Sequence, residues 1–413
     1  MSAPYPPQAD AATAHLRPGG APVPAIVVGC GLTALGAHRL LHRAGIPVYA
    51  VNSPASFEAD SRWCRPLPGF GGDHDGRGLA AILAASPVAH AVLIPCSDQA
   101  VNEIAEFPPA LAARFPASVP SAAIVAQLTD KAKFARLLDE LAVPRPITAI
   151  VNHPSDVDAI PDVAFSGAFL KPRDSTTFLA RYEVKAMRVD SRADAAAKLE
   201  RICGDGLAVI LQEFVPGPGS NHYLIDGFAD SKARVRALFA RRRIRIFPPD
   251  FGNSSYMVSV PIATVEPAVE SLTKILSHLR YRGIFSAEFK FDERDGLFKI
   301  LEINARAWAY VEYTGRCGID VCKMAYDDAL GLEVPEKWDY EVGARLIYPH
   351  IDFFAARREW QEHRLSLAGW LRSWIGAQQP HFNWSDPLPA LRNWIVLARH
   401  IARRLLLDET RSR

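Results

Sequence analysis

From Gly283 to Trp308 apolar and polar residues alternate along the chain. Phe285, Ala287, Phe289 and Phe291 share one parity and Ser286, Glu288, Lys290 and Asp292 the other, which predicts a half-buried strand. Asp292 to Gly296 carries turn chemistry, because Asp bonds its own backbone and Gly supplies positive φ. Leu297 to Asn304 is the more apolar return strand, so the stretch reads as a hairpin. Nearer the start, Ala25 to Cys30 is an uninterrupted apolar run, as in a buried strand. Gly29-Cys30-Gly31 turns tightly, Thr33 to Arg43 reads as a helix stopped by Gly45, and Val48 to Val51 is the next strand. This is the β-α-β opening of a Rossmann-like α/β sheet. Ala91 to Pro95 is a further buried strand, and Ser97 or Asp98 caps the helix after it.

The pattern changes from Ser121. Leu128-Thr129-Asp130-Lys131 opens an amphipathic helix to Leu141, which Pro144-Arg145-Pro146 ends. Strands are expected at Ala168–Lys171, Val184–Val189, Ala208–Glu213, His222–Phe228, Val235–Ala240 and Tyr256–Pro261, and helices at Ala193–Ile202, Pro267–Arg280 and Asp320–Leu330. Residues 173–183 read as a loop, and Phe214-Val215-Pro216-Gly217 as a hinge-like turn. Such mixing of strands and helices is α+β. The division that follows is a disordered tail over 1–22, a Rossmann-like domain over 23–120 and an α+β domain over 121–333, with subdomains 121–212 and 213–333. A helical extension over 334–413 holds six of the eight tryptophans. Trp394 to Leu407 is an amphipathic, basic stretch; packing on the body of the protein is the plain reading and membrane-surface contact the other.

Composition narrows the classes. With 413 residues, 49% hydrophobic and 22% charged, the chain is an ordinary globular protein of several domains. A net charge of +2 is too weak a bias to argue for a nucleic-acid partner, and none is expected; Arg241-Arg242-Arg243-Ile244-Arg245 reads either as a solvated strand or as a phosphate contact. Six cysteines without regular spacing fit a reducing cytoplasm better than a disulfide framework. No run of about 18 apolar residues is present, so no stable membrane insertion is expected.

The candidate chemistry lies in the hairpin. Glu302 and Asn304 share one face of the return strand, and Glu288 on its partner strand stands at the same level. Two carboxylates and a carboxamide suit Mg²⁺ better than zinc, and Arg306 follows in register to guide an anion. A glutamate near a strand end is ordinarily a solvated charge, but that explains poorly a Glu302 set in the apolar run ending at Leu301. At the first turn, Gly29, Gly31 and Gly36 miss the dinucleotide fingerprint by one residue, and Asn52 stands where an acidic ribose ligand is expected. Close strand–helix packing, a small-ligand site and an NAD site remain the readings of those glycines. Of these, a small-molecule substrate bordered by Gly29, Gly31 and Asp98 is the expectation.

Taken in order, the glycine turn, Asp130-Lys131, Lys171, Gln212 to Gly217, Glu288 and Glu302 to Arg306 resemble the ATP-grasp superfamily over about Ile26 to Leu332. Within it they resemble the carboxylate–amine ligases. The resemblance implies a Rossmann-like pre-ATP-grasp domain followed by an ATP-grasp fold whose two α+β subdomains close on ATP. It implies ATP and Mg²⁺, or Mn²⁺ in its place, as cofactors, and a small-molecule carboxylate and an amine as substrates joined through an acyl phosphate. Lys131 and Lys171 match the lysines on the nucleotide phosphates; Glu213, Phe214 and Val215 match the adenine hinge. His222 falls near ribose or phosphate, and Arg245 on the same phosphates. Glu288, Glu302 and Asn304 match the magnesium ligands, Arg306 the arginine that steadies phosphate, and Trp308 borders the substrate. The chain departs from the pattern between Arg173 and Tyr182, where a glycine-rich lid is frequent and Ser175, Thr176 and Thr177 stand instead. A non-catalytic ATP-binding regulator and an NAD-dependent oxidoreductase are the alternatives.

Overall fold

The computed structural model describes residues 22–399 apart from 54, 73–76, 166, 174–177, 179–180, 185, 249–251 and 396–397. Ser175, Thr176 and Thr177, most of Trp394–Leu407 and the tail over 1–21 therefore lie outside the described residues.

Strand β1 (Ala25–Val28), helix α1 (Gly31–Arg43) and strand β2 (Val48–Val51) make the β-α-β opening, and β3 (Val92–Pro95) joins β1 on its other edge. All three strands are parallel, in the order β2-β1-β3. Both faces are covered: Ala25 and Val27 pack into one apolar cluster, Ile26 and Val28 into another. That accounts for the uninterrupted apolar run. Ser97 caps helix α2 (Asp98–Ala105), its hydroxyl accepting from Ala100 N at 3.1 Å.

The helix expected to open near Leu128 is two helices, Ala122–Thr129 and Lys131–Glu140. Asp130 separates them as N-cap of the second, accepting from Ala132 N at 2.9 Å and Lys133 N at 3.2 Å. An antiparallel sheet follows, in the order β4 (Thr148–Val151), β7 (Val209–Gln212), β5 (Ala168–Pro172), β6 (Met187–Val189). The helix Arg192–Gly204 contributes Ala195, Leu199 and Ile202 to its core.

The largest sheet has six strands: β12 (Leu297–Asn304), β11 (Gly283–Asp292), β8 (His222–Ala229), β9 (Val235–Phe247), β10 (Asn253–Val260) and β13 (Arg345–Ile347). Two expectations need correction. Strand β11 is not half-buried: Ser286 is 3% and Lys290 4% exposed, so its polar face is covered too. Strand β9 does not end at Ala240 but runs through the arginines, because Arg241 and Arg245 find buried carboxylate partners in Asp226 and Asp352. The C-terminal extension is not helical alone, since β13 pairs with β10 before the helices Pro349–Gln361 and Leu367–Trp374. It is tied back to the first domain by buried Arg39, which donates to Asp386 Oδ2 (3.0 Å), Glu312 Oε2 (2.9 Å) and the His381 carbonyl (2.9 Å).

Candidate active site

The hairpin β11–β12 sets the register of the site. Glu288 pairs directly with Glu302 and Ser286 with Asn304, and a bulge follows Glu288 so that Phe289 faces Ile300. Side chains two apart share a face, so the two carboxylates and the Asn304 carboxamide stand together. A bulge at this point re-aims the strand beside the pair.

The next two strands supply partners for Glu288. His222, first residue of β8, lies with Nδ1 3.0 Å from Glu288 Oε1, and Arg243 on β9 donates to Oε2 at 2.8 Å. Burial pushes the Glu288 carboxyl up, but Arg243, His222 and Lys171 outweigh it and hold the group down to about 2. Burial lowers the His222 pKa. Nδ1 is the ring nitrogen that meets the carboxylate, and Nε2 is buried with no hydrogen-bond partner among the described residues. Glu302 is exposed and accepts from Asn304 Nδ2 at 3.1 Å. Arg306 just beyond β12 grips both Asp98 oxygens, at 2.8 and 3.0 Å, and reaches Asn304 Oδ1 at 3.4 Å. A catalytic candidate and a substrate candidate 208 residues apart are therefore one ion pair.

The smaller sheet brings Lys171 to the same place. Its Nζ donates to Gln212 Oε1 at 2.6 Å. Burial lowers its pKa; Glu302 opposes that, Lys131 adds to it, and Glu288 opposes it. Those three influences put Lys171 electrostatically among the proposed phosphate and metal residues.

Glu213 is fixed inside the protein. Its carboxylate accepts from Ile147 N at 2.9 Å and from Arg294 in the hairpin turn, while its own N–H donates to the Ile147 carbonyl at 2.8 Å. Its side chain and its N–H are thus both engaged with the protein rather than with the hinge. Phe214 meets Phe169 edge-on at 5.8 Å and carries the Lys290 ammonium 4.5 Å from its ring centre; Val215 is buried.

Arg245 is a correction. It is 5% exposed, bonded to both Asp352 oxygens at 2.8 and 2.9 Å and to Ser373 at 3.0 Å, and stacked over Tyr256 at 4.4 Å. Its charge is consumed by the C-terminal extension, so it does not face phosphates. Arg243 is the arginine of the run that meets the site, and sequence reasoning missed it. Arg294 was missed in the same way, and Gln212 was quoted in its motif without a role; Arg243 shared the parity of Arg241 and Arg245, the one available signal.

Of the substrate candidates, Gly29 has φ +125° and a Cβ there would come within 3.2 Å of Cys96 Cβ, so close packing requires it. At Gly36 a Cβ would meet Val311 Cγ1 at 2.9 Å. Gly31, at φ +80°, has open space around it. Trp308 is 5% exposed, its indole nitrogen has no hydrogen-bond partner among the described residues, and Arg241 lies 5.9 Å from its ring. It is a wall, not an exposed platform.

Among the described residues no three His, Cys, Asp or Glu side chains cluster for a metal, so a cation here would depend on Glu288, Glu302 and the Asn304 oxygen. An ionised carboxylate, a second one opposite it and an adjacent amide oxygen fit a hard cation.

No family model matches the chain. It is 25% identical over 245 residues to the D-aspartate ligase of Enterococcus faecium (strain Aus0004), the match covering 57% of this chain and 58% of that one. The chain thus spans little more than half the length of this curated relative. Among solved structures it is similar to an L-amino acid ligase from Bacillus licheniformis, at 16% identity, TM-score 0.54 and 74% coverage of each chain. It is also similar to the N5-carboxyaminoimidazole synthetase of Staphylococcus aureus complexed with ADP, at 14% identity and TM-score 0.61, covering 84% of this chain and 87% of the other. The chain therefore resembles the ATP-grasp carboxylate–amine ligases and shares their mixed α/β fold.

Proposed function

We propose that this chain is a ligase that uses ATP and Mg²⁺ to join a small carboxylate, of the amino-acid class, to an amine, with release of ADP and phosphate. The observation that carries the reading is the direct pairing of Glu288 with Glu302 beside Asn304, on a face that Lys171 and Arg306 also approach. The likeness to D-aspartate ligase supports the amino-acid class. An ATP-driven reaction of this kind belongs in the cytoplasm. Residues 23–120 would serve as the substrate-side domain and 121–333 as the nucleotide-binding one.

The reaction needs activation because a carboxylate is a poor electrophile. Its oxygen attacks the γ-phosphorus of ATP, the bond to ADP breaks, and an acyl phosphate forms. The amine then attacks the carbonyl carbon, phosphate leaves, and the nitrogen loses a proton. Glu288, Glu302 and Asn304 would hold Mg²⁺, which supplies neutralising charge to the transferring phosphoryl group. Lys171, oriented by Gln212, and Lys131 add positive charge on the phosphate side, and Arg306, held by Asp98, steadies the anion beyond the strand end. Arg243 and His222 keep Glu288 ionised and fixed in aim. The backbone of Glu213 to Val215 would meet the base, with Arg294 and Ile147 anchoring the turn.

The test supplies the full chain with ATP, Mg²⁺, hydroxylamine and a panel of amino acids. Hydroxamate with equimolar ADP is expected for at least one amino acid. AMP and pyrophosphate would mean adenylation and would overturn the acyl-phosphate route.

A further inference from the structure

The C-terminal segment turns apolar faces outward. In the helix Leu367–Trp374 and the residue after it, Leu367, Leu371 and Ile375 recur every fourth residue and are 59%, 55% and 69% exposed. The register is fixed from the other side, where the Trp370 indole donates to Asp352 at 2.8 Å. Residues 388–395 form a second helical stretch, in which Leu388, Leu391 and Ile395 are 56%, 57% and 46% exposed, with Trp394 beside them at 41%. Here too the inner side is pinned: Ala390 is buried, and Arg392 donates to Asp60 at 3.0 Å and to the Ala55 carbonyl at 3.2 Å. Trp384, in the turn before this stretch, is 89% exposed. Monomers in water seldom leave so much large apolar surface open, and two stripes held outward by polar bonds on their inner sides call for an occupant.

The charge pattern identifies the occupant. Arg372 and Arg399 are exposed within the same segment. In the sequence no acidic residue lies between Asp386 and Asp408, where Arg399 is followed by Arg403 and Arg404. A second copy would bring those arginines against their own like charges. Residues 1–21 have little to cover such a face, with Tyr5 and Leu16 as their large apolar side chains after Met1 and four prolines. An anionic lipid surface matches both components, taking Leu, Ile and Trp into its interfacial layer while its phosphates meet the arginines. We propose that the segment from Leu367 to Arg399 is a peripheral contact surface for an anionic bilayer, lying on the headgroups without crossing them. Among the described residues no helix is long and apolar enough to span a membrane.

The test uses the full chain with vesicles of phosphatidylcholine alone or mixed with phosphatidylglycerol, at low and high salt. Expected is co-sedimentation with the anionic vesicles, released by salt, and a blue shift of tryptophan emission. A variant carrying Leu388→Ser, Leu391→Ser and Ile395→Ser should lose about tenfold or more of the partitioning. Should that variant misfold, as circular dichroism would report, Arg372→Glu with Arg399→Glu must lower binding to anionic vesicles by a similar factor. Failure to bind anionic vesicles at low salt would overturn the proposal. So would equal, salt-insensitive binding to both vesicle types, or wild-type dimers that the serine substitutions dissociate.

Discussion

The ion pair between Arg306 and Asp98 allows a structural role to be separated from a functional one by magnitude. It joins the end of β12 to the start of α2, with the Asp98 side chain 52% and the Arg306 side chain 22% exposed. A pair this open to water contributes only about 0.2–1 kcal/mol to stability. Asp98→Asn keeps the shape and removes the charge, so the thermal midpoint should fall by about 3 °C at most. Its effect on turnover should be larger in proportion, because Asp98 fixes the guanidinium that approaches Asn304 at 3.4 Å. Loss of that positioning should cost about tenfold in kcat/KM for the carboxylate, or about 1.4 kcal/mol. Arg306→Ala, which removes the donor outright, should cost about 10²–10³-fold. Since Asp98 acts through Arg306, Asp98→Asn should add almost nothing in the Arg306→Ala background. The assay is ADP release against carboxylate concentration for the four proteins of the cycle, with melting curves on each. Full activity in Asp98→Asn, or the same penalty in both backgrounds, would refute the reasoning.

Other predictions follow from single features of the site. Lys171 must be protonated to attract phosphate, and its folded pKa lies below the ordinary lysine value of 10.5. Therefore kcat/KM for ATP should decline with rising pH earlier than an ordinary lysine would dictate, and Lys171→Arg should move that limb upward; an unmoved limb assigns it elsewhere. The sign for stability is opposite: burial disfavours the charged form, so this contribution improves as pH rises from the folded pKa towards 10.5. Arg245→Met leaves the buried Asp352 carboxylate without its cation, and should cost about 3–5 kcal/mol of stability in denaturant titration. The folded fraction of that variant should keep its KM for ATP; a selective rise in KM would return Arg245 to the phosphates. The glycines at the first turn are explained by packing at Gly29 and Gly36, so calorimetry should find no NAD or NADP binding at micromolar concentrations, and clear binding would reinstate a dinucleotide site.

What could be read in the sequence was what local pattern determines. Parity alone put Glu302 and Asn304 on one face; the turn at Asp292–Gly296 sets the register as far as Phe289 opposite Ile300, and the bulge beyond it, which no local pattern announces, brings Glu288 opposite Glu302. The arginine run was different. Arg241, Arg243 and Arg245 share parity, yet their partners are Asp226, Glu288 and Asp352, at separations of 15, 45 and 107 residues. Which arginine serves the site depends on those distant contacts, and a local pattern carries no record of them. Glu213 is similar, because Arg294, 81 residues on, claims its carboxylate. Strand β13 is three residues long and exists through pairing with β10, so no period announces it. The break at Asp130 was legible in principle, as an Asp before Lys131 is an ordinary N-cap.

The central claim is that the paired carboxylates hold the metal that serves the phosphoryl group, and Glu302→Gln tests it most directly. Glu302 is exposed, so the substitution should leave the fold and nucleotide binding through the Glu213–Val215 turn intact. Mg²⁺-dependent ADP release should fall by about 10²-fold or more, as expected when charge stabilisation of several kcal/mol is removed. Turnover equal to that of the wild type, with unchanged Mg²⁺ dependence, would contradict the account.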